Sequence, residues 1–302
     1  MASLKNAAEK PVGLVGLGAM GRGVAGNLVR KGFPLMGYDI RPEAGEWLRE
    51  LGGRFAPDLA SLARSCEVVV SFVVDQAQTE SVLFAEGGLA TGLAPGSVFV
   101  ACSTMPPSYV TELGVRLAAR GITLIDAPVT GGAVGAARGS LTVMAAGDKN
   151  AYERVRPVLE AFGARIYHLG DKPGAGAQMK VINQLLCGVH LAAAGEALAM
   201  AKRQNLPVAT TLEILAGGAG ASWMLGDRGP RMASEAFDDV TSAVDIFVKD
   251  LGLVLDAARE ARFAAPLAHA AYLAFISVSG RGMGRLDDSA VIRNYNTAPR
   301  NE

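Results

Sequence analysis

The sequence predicts an α/β protein: an N-terminal doubly wound Rossmann domain and a C-terminal all-helical domain, joined by one long helix. Three observations carry that expectation. Short β-branched runs alternate with helical segments through the first half, a glycine fingerprint follows the first run, and β-alternation stops after Leu169. A chain of 302 residues can hold two cores, and 50% hydrophobic with 19% charged residues marks it as globular.

Strands are expected at residues 12–16, 35–39, 68–73, 97–101, 122–126, 141–146 and 165–169. Continuous apolar runs such as 68–73 fit strands buried on both faces of a parallel sheet. Residues 20–31, 44–51 and 107–120 read as helices between them. The cluster Gly170-Asp-Lys-Pro-Gly174 breaks the pattern. A helical pattern then covers 175–204, about 45 Å at 1.5 Å per residue, and further helices are expected at 210–215, 242–262 and 266–277. The expected domains are 1–171 and 172–302.

Composition excludes several classes. Lys plus Arg and Asp plus Glu both number 29, so there is no net field for nucleic acid or an anionic membrane. Cys66, Cys102 and Cys187 are scattered, without CxxC or His-rich spacing, and read as small buried apolar residues. Neither a disulfide framework nor a metal site is expected. Residues 1–10 lack the apolar segment of a secretory signal. Residues 185–201, interrupted by His190 and Glu196, read as too short and too polar to span a bilayer, so a cytoplasmic protein is expected.

Gly16-Leu-Gly18-Ala-Met-Gly21 places GxGxxG directly after a strand and at the mouth of a helix. Such a turn lets the backbone approach a pyrophosphate held at the positive helix end. Asp39 ends the second expected strand, where a carboxylate binds the ribose hydroxyls and repels a 2′-phosphate, so NAD is expected over NADP. Arg41 reads as an adenine contact, a solvated side chain or an attractor of that phosphate.

Asp126-Ala-Pro-Val-Thr130-Gly131-Gly132 ends a later strand and offers one hydroxyl and exposed backbone N–H groups to a carboxylate, although an ordinary turn looks similar. Gly176, Lys180 and Gln184 recur at i, i+4 and i+8, with Asn183 beside them on one helix face. A solvated lysine face has the same spacing. His168, His190 and His269 lie outside these motifs and read as structural, His190 being the one that could add a substrate contact. Trp223 reads as a core or pocket-wall residue.

These blocks resemble the β-hydroxyacid dehydrogenase family, relatives of hydroxyisobutyrate dehydrogenase, tartronate semialdehyde reductase and phosphogluconate dehydrogenase. The resemblance runs from Val12 to about Tyr295 and rests on four ordered blocks. They are Gly16-Leu-Gly-Ala-Met-Gly21, Asp126-Ala-Pro-Val-Thr-Gly-Gly132, Gly176-x-x-x-Lys180-x-x-Asn183 and Lys249-Asp250-Leu251. It implies oxidation of a small hydroxy acid with NAD, with Lys180 moving the hydroxyl proton. A lysine does so near neutrality when its pKa is lowered, as by partial burial.

The implied substrate contacts are Thr130, Gly131, Gly132, Asn183 and Gln184. The implied cofactor contacts are Gly16, Leu17, Gly18, Ala19, Met20, Gly21, Asp39, Ile40, Arg41, Val74, Thr104 (in Ser103-Thr-Met-Pro-Pro107) and Lys249. Two departures bear on the substrate: Thr130 stands where the family usually has serine, and Gln184 where many members have a second asparagine. Residues 183–190, 222–224, 242–250 and 287–290 are similar to the branch that oxidises the C2 hydroxyl of a four-carbon sugar acid. Hydroxyisobutyrate and tartronate semialdehyde are the alternative substrates. A catalytically silent cofactor-binding scaffold is the non-enzyme alternative, against which Lys180 speaks. The relatives imply a homodimer or homotetramer.

Overall fold

Strands whose neighbouring residues are both apolar need cover on both faces, and helices supply it in the first half of the chain. The computed structural model describes residues 10–295 and divides between Lys180 and Val181 into two units. In the first, β1 (Val12–Val15), β2 (Leu35–Tyr38), β3 (Arg54–Phe55), β4 (Val68–Ser71), β5 (Val98–Ala101) and β6 (Thr123–Asp126) form a parallel sheet. Its order is β3-β2-β1-β4-β5-β6. Leu14, Val70, Val100 and Ile125 join one core cluster, while their neighbours Val15, Val69, Phe99 and Leu124 join another. α1 (Ala19–Arg30), α2 (Glu43–Glu50), α3 (Leu59–Ser65), α4 (Gln76–Phe84), α5 (Leu89–Gly92) and α6 (Pro107–Ala118) make the connections. Asp58 and Asp75 cap α3 and α4 by accepting the N–H of Ser61 and Gln78.

Residues 141–146 and 165–169, expected in the doubly wound sheet, form strands elsewhere. β7 (Val129–Thr130), β8 (Leu141–Ala145) and β9 (Gly163–His168) make a second sheet, β7 antiparallel and β9 parallel to β8. Pro128 explains the departure: it has no N–H to extend a ladder beyond β6, and its carbonyl accepts Met144 N–H instead. An Asp126–Ala146 bridge ties the two sheets. α7 (Gly132–Arg138) and α8 (Lys149–Phe162), neither expected, complete this part.

α9 spans Ala175–Arg203, close to the expected 175–204. The break expected at 171/172 lies in the loop before it, whereas the units divide inside the helix, because its first turn lies on the backbone of Asp126 and Met144. By length and composition α9 is apolar enough to cross a membrane, which corrects the expectation from 185–201; half of its most apolar window is buried. Leu191 and Leu198 of α9 sit in a core cluster of the second unit, as in the central helix of a soluble fold.

The second unit adds α10 (Val208–Ala216), α11 (Trp223–Ser234), α12 (Val244–Glu260), α13 (Pro266–Val278) and a 3-10 segment, Asp288–Tyr295. Phe247 and Phe275 stack at 5.0 Å in its core. A buried ionic cluster fixes the 3-10 segment to α11. Arg228 donates to both Asp288 carboxylate oxygens, at 2.7 and 3.1 Å, and also pairs with Asp227. Arg231 and Thr241 converge on Asp287. Removing one partner of such a pair strands the other in the interior. Arg228→Met is therefore expected to lower unfolding stability in urea by about 3–5 kcal/mol, and Arg228→Met with Asp288→Leu by clearly less.

Candidate active site

The chain leaves β1 at Gly16 and enters α1 at Ala19. A Cβ on Gly21 would overlap the Gly16 carbonyl oxygen, and one on Gly16 would come within 2.8 Å of the Phe72 carbonyl oxygen. The turn itself requires those two glycines. Gly18 differs: a Cβ there would meet nothing nearer than the Arg41 guanidinium at 3.9 Å. Its bare backbone borders open space, at the start of a helix with no side-chain cap and no acid in its first turn. A pyrophosphate fits such a place.

Asp39 accepts Leu17 N–H at 2.7 Å, which ties the glycine turn to the end of β2. It also accepts the Arg41 backbone N–H and guanidinium, both at 2.9 Å. Burial pushes the Asp39 carboxyl up, but the hydrogen bonds from Arg41 and Leu17 outweigh it and hold the group below the usual carboxylate range. Of the roles open to Arg41, the structure shows an ion pair with Asp39 and a half-exposed side chain. Ile40, 86% exposed, and Val74, 45% exposed, present apolar surface beyond β2 and β4, suited to flank an adenine. The Ser103 hydroxyl donates to Val73 O at 2.7 Å and fastens the loop that carries Thr104. The Leu17 side chain is fully buried. These residues fit an adenine dinucleotide.

Thr130 ends β7, opposite Thr142. Gly131 and Gly132 follow with φ of 125° and 64°, a left-handed region open to glycine, and a Cβ on Gly132 would meet nothing within 4 Å. This loop is anchored to the dinucleotide helix. The buried Asn27 amide of α1 donates to Ala136 O of α7 at 2.6 Å and to Gly23 O of its own helix at 2.8 Å.

Asp126, wholly buried at the end of β6, was not among the residues singled out from the sequence. Its Oδ2 accepts the N–H groups of Gly174 (3.0 Å) and Ala177 (2.8 Å) at the start of α9. Burial pushes its carboxyl up to about 6, against the pull of those N–H groups. A Cβ on Gly176 would overlap the Met144 carbonyl oxygen, so glycine allows this close seating. Lys180 follows one turn later and is 8% exposed.

In the second unit, Asn183 Nδ2 donates to Gln184 Oε1 at 2.8 Å and to Cys187 Sγ at 3.3 Å. Gln184 Nε2 donates to Asp250 Oδ2 at 2.5 Å, and Lys249 Nζ to Asp250 Oδ1 at 2.6 Å. Asp250 is thus the centre of a polar chain, a role its place beside Lys249 could have signalled. His168 stacks on Tyr152 at 4.4 Å, while His190 and His269 are exposed. Trp223, expected in a core or pocket wall, is 58% exposed as the first residue of α11, where Ser222 caps the helix. Burial pushes the Cys66 thiol up to about 12 and raises Cys102 further; Cys187 is half-buried. Among the described residues, no group of three or more His, Cys, Asp or Glu side chains is placed to hold a metal ion.

A parallel sheet of this order with this turn defines a dinucleotide-binding domain. Residues 11–170 match the NAD-binding domain of 6-phosphogluconate dehydrogenase, and 174–295 match the NAD-binding domain of NADP-dependent 3-hydroxyisobutyrate dehydrogenase. The chain is 44% identical over 287 residues to the L-threonate dehydrogenase of Cupriavidus necator, covering 95% of this chain and 96% of that protein. The L-threonate dehydrogenase of Escherichia coli is 43% identical, with 97% of each chain covered. Among solved structures, the 3-hydroxyisobutyrate dehydrogenase of Salmonella typhimurium superposes with a TM-score of 0.90 at 42% identity, covering 94% of this chain and 99% of that one. The chain belongs to the β-hydroxyacid dehydrogenase family.

Proposed function

We propose that this protein oxidises the C2 hydroxyl of L-threonate to 2-dehydro-L-erythronate with NAD. The observation that carries the substrate is the likeness, at 40–44% identity over 94–97% of the chain, to five L-threonate dehydrogenases. The polar chain in the second unit supports it. The Asn183 amide nitrogen is already engaged, so its oxygen is the atom offered to a substrate hydroxyl, and Gln184 and Asp250 fix that orientation.

Each residue then has a task. Thr130 and the backbone of Gly131 and Gly132 hold the substrate carboxylate, and Asn183 with Gln184 orients the hydroxyls. Lys180 Nζ takes the proton of the hydroxyl being oxidised, from a side chain that is buried. The turn from Gly16 to Gly21 holds the pyrophosphate. Asp39 holds the adenosine ribose, Ile40 and Val74 flank the adenine, and Thr104 and Lys249 contact the remainder. NAD, when bound, supplies the hydride acceptor. The site works in the cytoplasm, within a homodimer or homotetramer.

That assembly is favoured by exposed apolar side chains of the helical unit, among them Leu186, Met200, Ile214 and Leu267, each more than half exposed. Light scattering on the purified protein is expected to give a mass of two or four chains; a monomer at micromolar concentration would remove the assembly.

The likeness to the 3-hydroxyisobutyrate dehydrogenase of Salmonella typhimurium favours a second substrate, 3-hydroxyisobutyrate. Buried groups arranged for hydroxyls penalise a ligand that leaves them unpaired. With NAD, kcat/KM for L-threonate is therefore expected to exceed that for 3-hydroxyisobutyrate, D-glycerate and D-threonate; preference for any of these overturns the substrate. Lys180→Ala is expected to bind NAD normally by fluorescence titration and to lose about 10²–10⁴ in turnover. Ordinary turnover in that variant would remove Lys180 from the chemistry.

A further inference from the structure

We propose that Asp126 is a positioning residue for catalysis, its carboxylate holding the start of α9 so that Lys180 stands in fixed relation to the Thr130–Gly132 loop. The proposal rests on the role given above to Lys180. Two connections meet in this one residue. Through the main chain, Asp126 leads in four residues to Thr130, and the intervening turn is pinned by Ala127 N–H on Ala101 O and Met144 N–H on Pro128 O. Through the side chain, Asp126 Oδ2 takes the N–H groups of Gly174 and Ala177. Lys180 lies three residues, less than one helical turn, beyond Ala177.

A wholly buried carboxylate is costly to keep, and an apolar residue would pack as well if the strand end needed only filling. What the charge adds is strong hydrogen bonding to a helix start, where a negative group is favoured. Burial raises the carboxyl, and the N–H groups of Gly174 and Ala177 pull against it in favour of the charged form. Gly176 completes the seating, because any side chain there would meet the Met144 and Asp126 backbone and lift α9 from β6 and β8. The first turn is thus set from two sides, by attraction at Asp126 and by close fit at Gly176. In this role Asp126 touches neither substrate nor cofactor, and it acts through the lysine.

The test is a double-mutant cycle on the full-length enzyme, with NAD saturating and L-threonate varied. Asp126→Asn keeps the shape and an acceptor oxygen but removes the charge. It is expected to lower kcat by about 10²-fold, the scale of a small misplacement of a catalytic group, with KM changed less than about threefold. In a Lys180→Ala background the same substitution is expected to cost little further, because the group it positions is gone. Gly176→Ala, which displaces the helix start with Asp126 intact, is expected to show the same pattern and serves if Asp126→Asn does not fold. Wild-type kcat in Asp126→Asn, or equal losses with and without Lys180, overturns the proposal. Normal turnover in Lys180→Ala alone instead overturns the assignment of Lys180, a separate and recognisable failure.

Discussion

A parallel sheet buried on both faces has little room for polar side chains along its strands, so polar function gathers at and beyond their ends. That constraint organises the first unit. Gly16 follows β1, Asp39 follows β2, Val74 lies beyond β4, Thr104 beyond β5, and Asp126 closes β6. Each stands at the carboxyl end of its strand, and neighbouring strands bring those ends to one edge of the sheet. Several buried polar groups are tied to backbone. Asp39 holds the glycine turn, Ser103 holds the strand-end loop, and Asn27 holds the short helix after Gly131. These groups bond the chain itself, which fixes their orientation.

The second unit solves a different problem. Helices leave their side chains in all directions, so polar residues are drawn inward only where partners await them. Asp250 gathers Gln184 and Lys249 on one side, and Asp287 with Asp288 gathers Arg228 and Arg231 on the other. The first group lies by residues that the family blocks mark; the second holds the 3-10 segment against α11. Both place carboxylates in the interior under several donors.

The parallel sheet and its cofactor turn were legible in the sequence because they are local. Glycine spacing, a strand before and a helix after, and an acid at the next strand end need no tertiary knowledge. α7 was not legible: Gly131, Gly132 and Gly135 read as a loop, and its helix is secured by Asn27, more than a hundred residues earlier. α8 was obscured by Pro157 within it, and β3 is two residues long at the sheet edge. The strands 141–146 and 165–169 showed in the pattern, but their membership of a separate sheet depended on Pro128. In the candidate site, Lys180, Thr130 and Asn183 were marked by the family resemblance, since their spacing alone also fits an ordinary turn and a solvated helix face. Asp126 and Asp250 were visible as letters, but the partners Gly174 and Gln184 lie 48 and 66 residues from them in sequence.

The pairing of Arg41 with Asp39 has a consequence for how this protein could change over evolutionary time. The carboxylate proposed to repel a ribose phosphate also pairs with the Arg41 guanidinium. Loss of that single carboxylate would cancel a repulsion and release an attraction in one step, with no new cation to acquire. Preference for one dinucleotide and readiness for the other are therefore neighbours in sequence space, separated by a single residue whose hydrogen bonds also shape the turn. Because Leu17 depends on the same carboxylate, that short path is guarded: a lineage that takes it must also find another acceptor for the Leu17 N–H.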